Sequence, residues 1–128
     1  MPDKKQACSI KVAVEPKYLP EHSDPEQNHF VFAYYINIHN AGQIAAQLIS
    51  RHWLIVDAND NVQEVRGLGV VGCQPLLEPG AHFEYSSSCV LTTPVGVMRG
   101  SYQMVTMDGS QFEATIAEFT LAMPHVLH

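Results

Sequence analysis

Residues 30–38 alternate large apolar side chains with other residues at a period of two. The even positions are Phe30, Phe32, Tyr34, Ile36 and Ile38. Successive side chains of a β-strand point to opposite faces of the sheet, so this spacing puts five apolar groups on one face. The segment is predicted to be a strand that covers a hydrophobic core.

Shorter segments of the same kind recur along the chain. They predict strands at residues 10–14, 47–57, 62–66, 83–93, 100–104 and 112–123. Turn sequences such as Asn59-Asp60-Asn61 and Asp108-Gly109 separate them. No segment keeps the 3.6-residue apolar spacing of a helix over about ten positions.

Seven or eight short strands joined by turns predict an all-β fold. The expected architecture is an antiparallel β-sandwich of immunoglobulin or fibronectin type III type. A length of 128 residues suits one domain, so residues 1–128 are expected to form a single domain with a flexible N-terminus at 1–8. In the last strand the apolar residues change from even to odd positions, which predicts a bulge near Ala117 and Glu118.

Two aromatic residues test this architecture. Trp53 is expected to be buried between the sheets, as is the core tryptophan of immunoglobulin-like domains. Tyr35 has the opposite parity to the apolar face of residues 30–38 and is expected at the surface.

Charge and composition exclude two classes of partner. The net charge is −6 and the seven Lys and Arg residues are scattered, whereas a nucleic-acid binder needs a basic patch. No apolar run approaches the roughly 18 residues of a membrane span. The N-terminal residues lack the apolar block of a secretory signal, and three cysteines cannot all pair within one chain. A cytoplasmic protein with free thiols is expected.

A glycine-rich segment formally matches the nucleotide motif G-x-G-x-x-G. The candidate binding loop consists of Arg66, Gly67, Leu68, Gly69, Val70, Val71 and Gly72. Nucleotide loops of this kind lead into a helix whose N-terminus attracts the pyrophosphate. Pro75 and Pro79 would interrupt such a helix, and no acidic residue stands at the distance expected for ribose binding. The segment is predicted to be a loop between strands that contacts a protein partner, with nucleotide or pyrophosphate binding as the alternative.

Seven histidines raise the question of a divalent metal. A site needs three or four converging ligands, and His125 and His128 form the one close pair in the sequence. Because that pair lies at the end of the chain, it is a weak candidate, and no metal or other cofactor is predicted. Metal binding stays an alternative. No catalytic residues are predicted, because no nucleophile is accompanied by the signature of an activated site.

Several short motifs together resemble the bacterial ApaG family. They are Phe30-Val-Phe-Ala-Tyr34, Gln47-Leu48, Arg51-His-Trp-Leu-Ile55, Gly67-x-Gly-Val-Val-Gly72 with Gln74-Pro75 and Pro79-Gly80, Thr93-Pro94, Gly96-x-Met98, Gly100-x-Tyr102, Phe119-x-Leu121, Pro124 and His128. The order and spacing of these motifs are similar to those of the family over nearly the whole chain, from residue 10 to residue 128.

The resemblance implies a fibronectin type III-like sandwich in a small cytoplasmic protein without an established enzymatic activity. Bacterial members are associated with cobalt resistance and magnesium efflux, and the domain in eukaryotic proteins resembles a protein-interaction module. One position departs from the family pattern, because Leu68 stands where Glu is frequent. The predicted function is a non-enzymatic module that binds a protein partner, with homo-oligomerisation left open.

Overall fold

The structure is a computed structural model that describes residues 8–124. Its strands are β1 (Ile10–Tyr18), β2 (Phe30–Asn40), β3 (Ala46–Asp57), β4 (Val62–Leu68), β5 (Leu76–Leu77), β6 (His82–Leu91), β7 (Val95–Thr106) and β8 (Gln111–Ala122). Two short 3-10 turns, Pro20–His22 and Pro25–Gln27, lie between β1 and β2. Within the described residues, no helix is long and apolar enough to cross a membrane.

The strands form two antiparallel sheets that pack as a sandwich. One sheet has the order β1-β2-β6, and the other has the order β4-β3-β7-β8 with β5 paired to β3. Every strand pair is antiparallel. The prediction of an all-β antiparallel sandwich of seven to eight strands is confirmed.

The core lies between the two sheets. All five apolar residues at the even positions of residues 30–38 are buried there, as the alternation predicts. Trp53 is 2% exposed, and its ring contacts Tyr34 at 5.5 Å between centroids. Phe119 meets the same indole edge-on at 6.1 Å. Tyr35 is 45% exposed on the outer face of the first sheet, so both aromatic predictions are confirmed.

The bulge predicted in the last strand is present. Met98 pairs with Phe119 and Gly100 pairs with Ile116, so two residues of β8, Ala117 and Glu118, lie opposite the single residue between Met98 and Gly100. This is the two-against-one arrangement of a β-bulge. The extra residue shifts the alternation by one, so that even positions of β8 face the core before the bulge and odd positions face it afterwards, which explains the change of parity.

Several boundaries differ from the prediction. β1 continues to Tyr18 through Pro16, which the edge position of β1 allows because proline lacks an N–H for a second neighbour. β4 continues through Gly67 and Leu68, so the glycine loop is shorter than predicted. β7 begins at Val95, five residues before the predicted start of that strand at residue 100. β5 was missed because two residues carry no readable periodicity.

The two sides of the sandwich differ. On one side the edge strands β1 and β8 pack against each other. On the other side lie the edges β4 and β6, which we call the open side. A side-chain hydrogen bond connects these two edges, from Nε2 of Gln63 to the carbonyl oxygen of Val90 at 3.4 Å.

Candidate binding site at the open side of the sandwich

Residues 69–73 form a tight hairpin, the glycine turn, directly after β4. Val70 and Cys73 exchange two backbone hydrogen bonds of 2.8 Å. The two residues between them, Val71 and Gly72, have φ angles of 43° and 79°. Two central residues with positive φ define a type I′ turn, whose twist suits a two-residue hairpin. The predicted loop is therefore a rigid turn.

Val71 takes a backbone conformation that β-branched residues rarely adopt. Such a conformation costs about 1 to 3 kcal/mol and persists where surrounding structure imposes it. The side chain is 58% exposed, so packing into the core does not explain the choice of valine. The neighbouring Leu68 is 76% exposed. Two aliphatic side chains thus project from the end of β4 and the glycine turn.

Gly69 is required by its surroundings. Its φ is 65°, and a Cβ atom there would stand 2.2 Å from the carbonyl oxygen of Cys73. Its N–H donates to the carbonyl oxygen of Ile49 at 2.8 Å. With the N–H groups of Val70 and Cys73 also used inside the turn, few backbone donors remain to hold a pyrophosphate. Moreover, the described chain continues from this turn into β5, not into a helix.

Arg51 of β3 is hydrogen-bonded to the start of the glycine turn. Its Nη1 donates to the carbonyl oxygen of Gly69 at 2.8 Å and to that of Leu68 at 3.2 Å. The guanidinium lies against Gly67, where a Cβ atom would approach three guanidinium atoms to 2.8–2.9 Å. The absence of a side chain at Gly67 therefore leaves the space that the Arg51 guanidinium occupies.

Sequence reasoning missed Arg51, although a signal was present. Arg51 has the same parity as Trp53 and Ile55, whose side chains are buried between the sheets. A charged residue on the core-facing side of a strand is unusual and points to a functional or structural role.

A cleft of about 400 Å³ opens beside Arg51 on the open side, and we call it the Arg51 cleft. It is lined by Tyr34, Arg51, Trp53, Ile55, Gln63, Val65, Ser87, Ser88, Cys89 and Val90. Residues from both sheets contribute, so the cleft lies between them. Its lining contains one cation and three hydroxyl groups, and none of the lining residues is acidic.

Three tyrosines lie in or near the cleft, with Tyr34 in its lining and Tyr85 and Tyr102 close enough for the charge of Arg51 to act on them. The hydroxyl groups of Tyr85 and Tyr102 are hydrogen-bonded at 2.5 Å. Burial raises the pKa of Tyr85 to about 12 and raises the pKa of Tyr34 and Tyr102 as well. The positive charge of Arg51 acts in the opposite direction on the pKa of all three phenols. The positive charge of Arg51 therefore stabilises negative charge at all three tyrosines.

Burial also affects the nearby thiol. It raises the pKa of Cys89 to about 11, which suppresses the thiolate that a nucleophilic cysteine needs. Its Sγ contacts the sulfur of Met98 at 3.9 Å. Cys89 thus behaves as a packing residue of the cleft wall.

The remaining members of the predicted binding loop are divided between surface and core. Arg66 is exposed and pairs with Glu64 at 3.5 Å, and Glu64 also meets His52 at 3.0 Å. The hydrogen bond from His52 and the charge of Arg66 lower the pKa of the Glu64 carboxyl. Val70 is fully buried, so its side chain is part of the core. The exposed side chains of the loop are those of Arg66, Leu68 and Val71.

The metal alternative finds no support in the described part of the chain. Residues 8–124 contain no group of three or more His, Cys, Asp or Glu side chains arranged to hold a metal ion. The weak candidates His125 and His128 lie outside the described residues.

The fold and these sites define a small β-sandwich with an open edge, a rigid glycine turn and an adjoining cleft. A family model, the ApaG domain, matches residues 20–106. The chain belongs to the ApaG family.

Individual relatives agree with this assignment. The chain is 64% identical over 119 residues to Protein ApaG of Thiobacillus denitrificans, with 93% of this chain and 94% of the relative covered. It is 58% identical to Protein ApaG of Dechloromonas aromatica over the same length and with the same coverage. The crystal structure of the putative ApaA protein from Bordetella pertussis superposes with a TM-score of 0.92 at 56% identity, covering 94% of this chain and 98% of that chain.

Proposed function

We propose that the protein is a non-enzymatic binding module that accepts an extended segment of a protein partner at the free edge of β4, beside the glycine turn. Strand addition of this kind uses backbone hydrogen bonds for affinity and alternate side chains for specificity. The observation that carries the proposal is the exposure of Leu68 at the end of β4, an edge strand that pairs with β3 alone, and of Val71 in the turn that follows it.

The state of the β4 edge supports this choice. Natural proteins protect free edges with Pro, Lys, bulges or a covering element. β4 contains no proline and no lysine, and its residues 62–68 pair regularly with β3 without a bulge. Val62 and Leu68 are 59% and 76% exposed. The edge β1, in contrast, contains Pro16 and packs beside β8. An edge with exposed Val62 and Leu68 at its two ends and a single Glu64–Arg66 charge pair between them is consistent with a surface that a partner covers.

The alternatives have weaker support. Nucleotide binding at the glycine turn has few free backbone donors, since the N–H groups of Gly69, Val70 and Cys73 are already used. Enzyme activity lacks an activated nucleophile, because the exposed serines of β6 have no histidine hydrogen-bonded to them among the described residues. In this proposal the protein acts in the cytoplasm, and the cobalt and magnesium phenotypes of the family arise through the partner.

Leu68→Asp tests the proposal. The immobilised protein is incubated with lysate of the native cells, and the proteins retained by the wild type are compared with those retained by the variant. Leu68→Asp and Val71→Asp are expected to lose the same retained protein. Met107→Asp is the matched control, because Met107 is 79% exposed on the remote β7–β8 turn. Equal retention by Leu68→Asp and Met107→Asp would contradict the proposal.

A further inference from the structure

The Arg51 cleft has features that protein binding at the β4 edge does not use. Arg51 is half-buried, and the ion pairs of the described chain join other residues, Glu64 with His52 and Arg66, and Glu118 with Arg99. A partly buried charge without a counter-ion is costly, so an unpaired arginine in a cleft requires an explanation.

The hydrogen bonds of the guanidinium leave one side of it available. Nη1 donates to the carbonyl oxygens of Leu68 and Gly69. Nε and Nη2 donate no hydrogen bond to any residue in the part of the chain that the structure describes. These two nitrogens form the side of a guanidinium that binds two oxygens of a carboxylate or phosphate in parallel. The glycine turn thus holds one nitrogen of Arg51 and leaves the bidentate pair unused.

Gly67 further fixes this arrangement. Because the guanidinium lies against the Cα of Gly67, its plane is held by contact on one face as well as by the two carbonyls. A donor pair fixed in this way loses little side-chain entropy when a ligand arrives. Arg51 is therefore preorganised for an anion.

The rest of the cleft also suits an anion. Ser87 of β6 lines the cleft together with Arg51 and offers a hydroxyl donor, and its partner in the neighbouring strand is Tyr34, which also lines the cleft. The chain carries 13 Asp and Glu residues, yet none of them lines the cleft. Val65 and Val90 are 37% and 41% exposed at the rim and offer apolar contact. A volume of about 400 Å³ is within the usual range for a small-molecule site.

We propose that the Arg51 cleft binds a small organic oxyanion, with two of its oxygens on Nε and Nη2 of Arg51, a further hydrogen bond from Ser87, and its apolar part against Val65 and Val90. This site adjoins the glycine turn and shares Val65 with β4, but its donors are side-chain groups and not the backbone edge of β4. It stands whether or not a protein partner binds there.

Titrations with small aromatic anions test the site. Phenyl phosphate and benzoate represent the two oxyanion types, and benzyl alcohol is a neutral molecule of similar shape. Two-dimensional NMR follows the Nε–H signal of Arg51 and the backbone amide of Ser87. Saturable shifts with at least one anion are expected, with a dissociation constant of about 1 mM and weakening at higher salt. The stronger of the two anions identifies the preferred oxyanion.

Arg51→Lys is the decisive variant. Lysine keeps the charge but lacks the planar pair of donors, so binding is expected to weaken about tenfold. Arg99→Lys is the matched control, because Arg99 is an exposed arginine of β7 that pairs with Glu118 and does not line the cleft; its affinity is expected to stay within about twofold of the wild type. Ser87→Ala, a change at an exposed position, is expected to weaken binding about threefold or more.

Three results would overturn the proposal. They are the absence of saturable shifts with both anions, equal binding of benzyl alcohol, and an equal loss of affinity in Arg51→Lys and Arg99→Lys. If Arg51→Lys does not fold, Ser87→Ala decides the matter, and unchanged affinity in that variant would then refute the site.

Discussion

The guanidinium of Arg51 lies directly against Gly67, because a Cβ atom at residue 67 would come within 2.8 Å of Nη1. This contact joins the core-facing side of β3 to the end of β4. It explains the first glycine of the motif by the space that an arginine needs. The same arginine holds the carbonyl oxygens of the turn, so the motif and the cleft form one structural unit.

Gly69→Ala is expected to destabilise the protein more than Gly72→Ala. Both glycines have positive φ, but a Cβ at residue 69 meets a backbone oxygen at 2.2 Å, whereas a Cβ at residue 72 meets nothing within 4 Å. The strain of positive φ alone costs about 1 kcal/mol for Gly72→Ala. Gly69→Ala should cost about 3 kcal/mol or more. Urea unfolding measures both, and equal costs would show that the clash is relieved.

Neither glycine variant is expected to change nucleotide binding, because the glycine turn offers few free backbone donors. Calorimetry with ATP and ADP should detect no binding to the wild type or to either variant. Micromolar binding of ADP that disappears in folded Gly69→Ala would contradict this prediction and favour a nucleotide site.

Trp53→Ala is expected to lower the free energy of unfolding by about 3 to 5 kcal/mol. The indole is 2% exposed and packs against Tyr34 and Phe119 from both sheets. Tyr35→Ala is the control, since Tyr35 is a large aromatic residue on the outer face, and its effect should stay within about 0.5 kcal/mol. Chemical unfolding of the two variants provides the comparison.

The stability of the protein is expected to fall at strongly alkaline pH. Burial raises the pKa of Tyr85 from 10.0 to about 12, so the folded state holds the phenol proton more tightly than the unfolded state. The contribution of protonated Tyr85 to the free energy of unfolding is therefore complete below pH 10 and is lost as the pH rises through 12. Tyrosinate absorbance of the folded protein should show a late-titrating phase. Tyr85→Phe should remove that group, and an unchanged titration curve would contradict the assignment.

Cys73 is expected to react with alkylating reagents before Cys89 does. Cys73 is exposed, whereas burial raises the pKa of Cys89 to about 11 and leaves little thiolate near neutral pH. The modification rate of Cys89 should be at most about one tenth of the rate of Cys73, as measured by mass spectrometry of the labelled peptides. In denaturant the two rates should converge. Faster labelling of Cys89 in the folded protein would mean that the cleft wall opens.

Much of the fold could be predicted from local sequence because β-strands reveal themselves by a period of two. Burial of the even positions of residues 30–38 and of Trp53 follows from that period, and the bulge at Ala117 and Glu118 follows from its interruption. Strand ends were less accurate. Pro16 stands inside β1 because an edge strand needs no second set of hydrogen bonds, and edge position is a property of the whole sheet.

The candidate site shows the limit of such reasoning. The glycines of the motif were visible, but their roles differ: Gly67 makes room for Arg51, while Gly69 avoids the backbone of Cys73. Arg51 is distant from Gly67 in sequence, and Cys73 reaches Gly69 only because the turn folds the chain back. The type I′ turn could not be predicted from the sequence either, because valine rarely adopts the positive φ that Val71 has in this turn.

By itself the sequence determined most of the strands and, for strands with clear alternation such as residues 30–38, the side that faces the core, because alternation and turn residues act over short distances. The tertiary structure alone decided that Arg51 of β3, Ser87 of β6 and Val65 of β4 line one cleft. Their meeting depends on how two twisted sheets pack and on which edges stay apart. Those relations arise from the burial of the shared core, which no local pattern specifies.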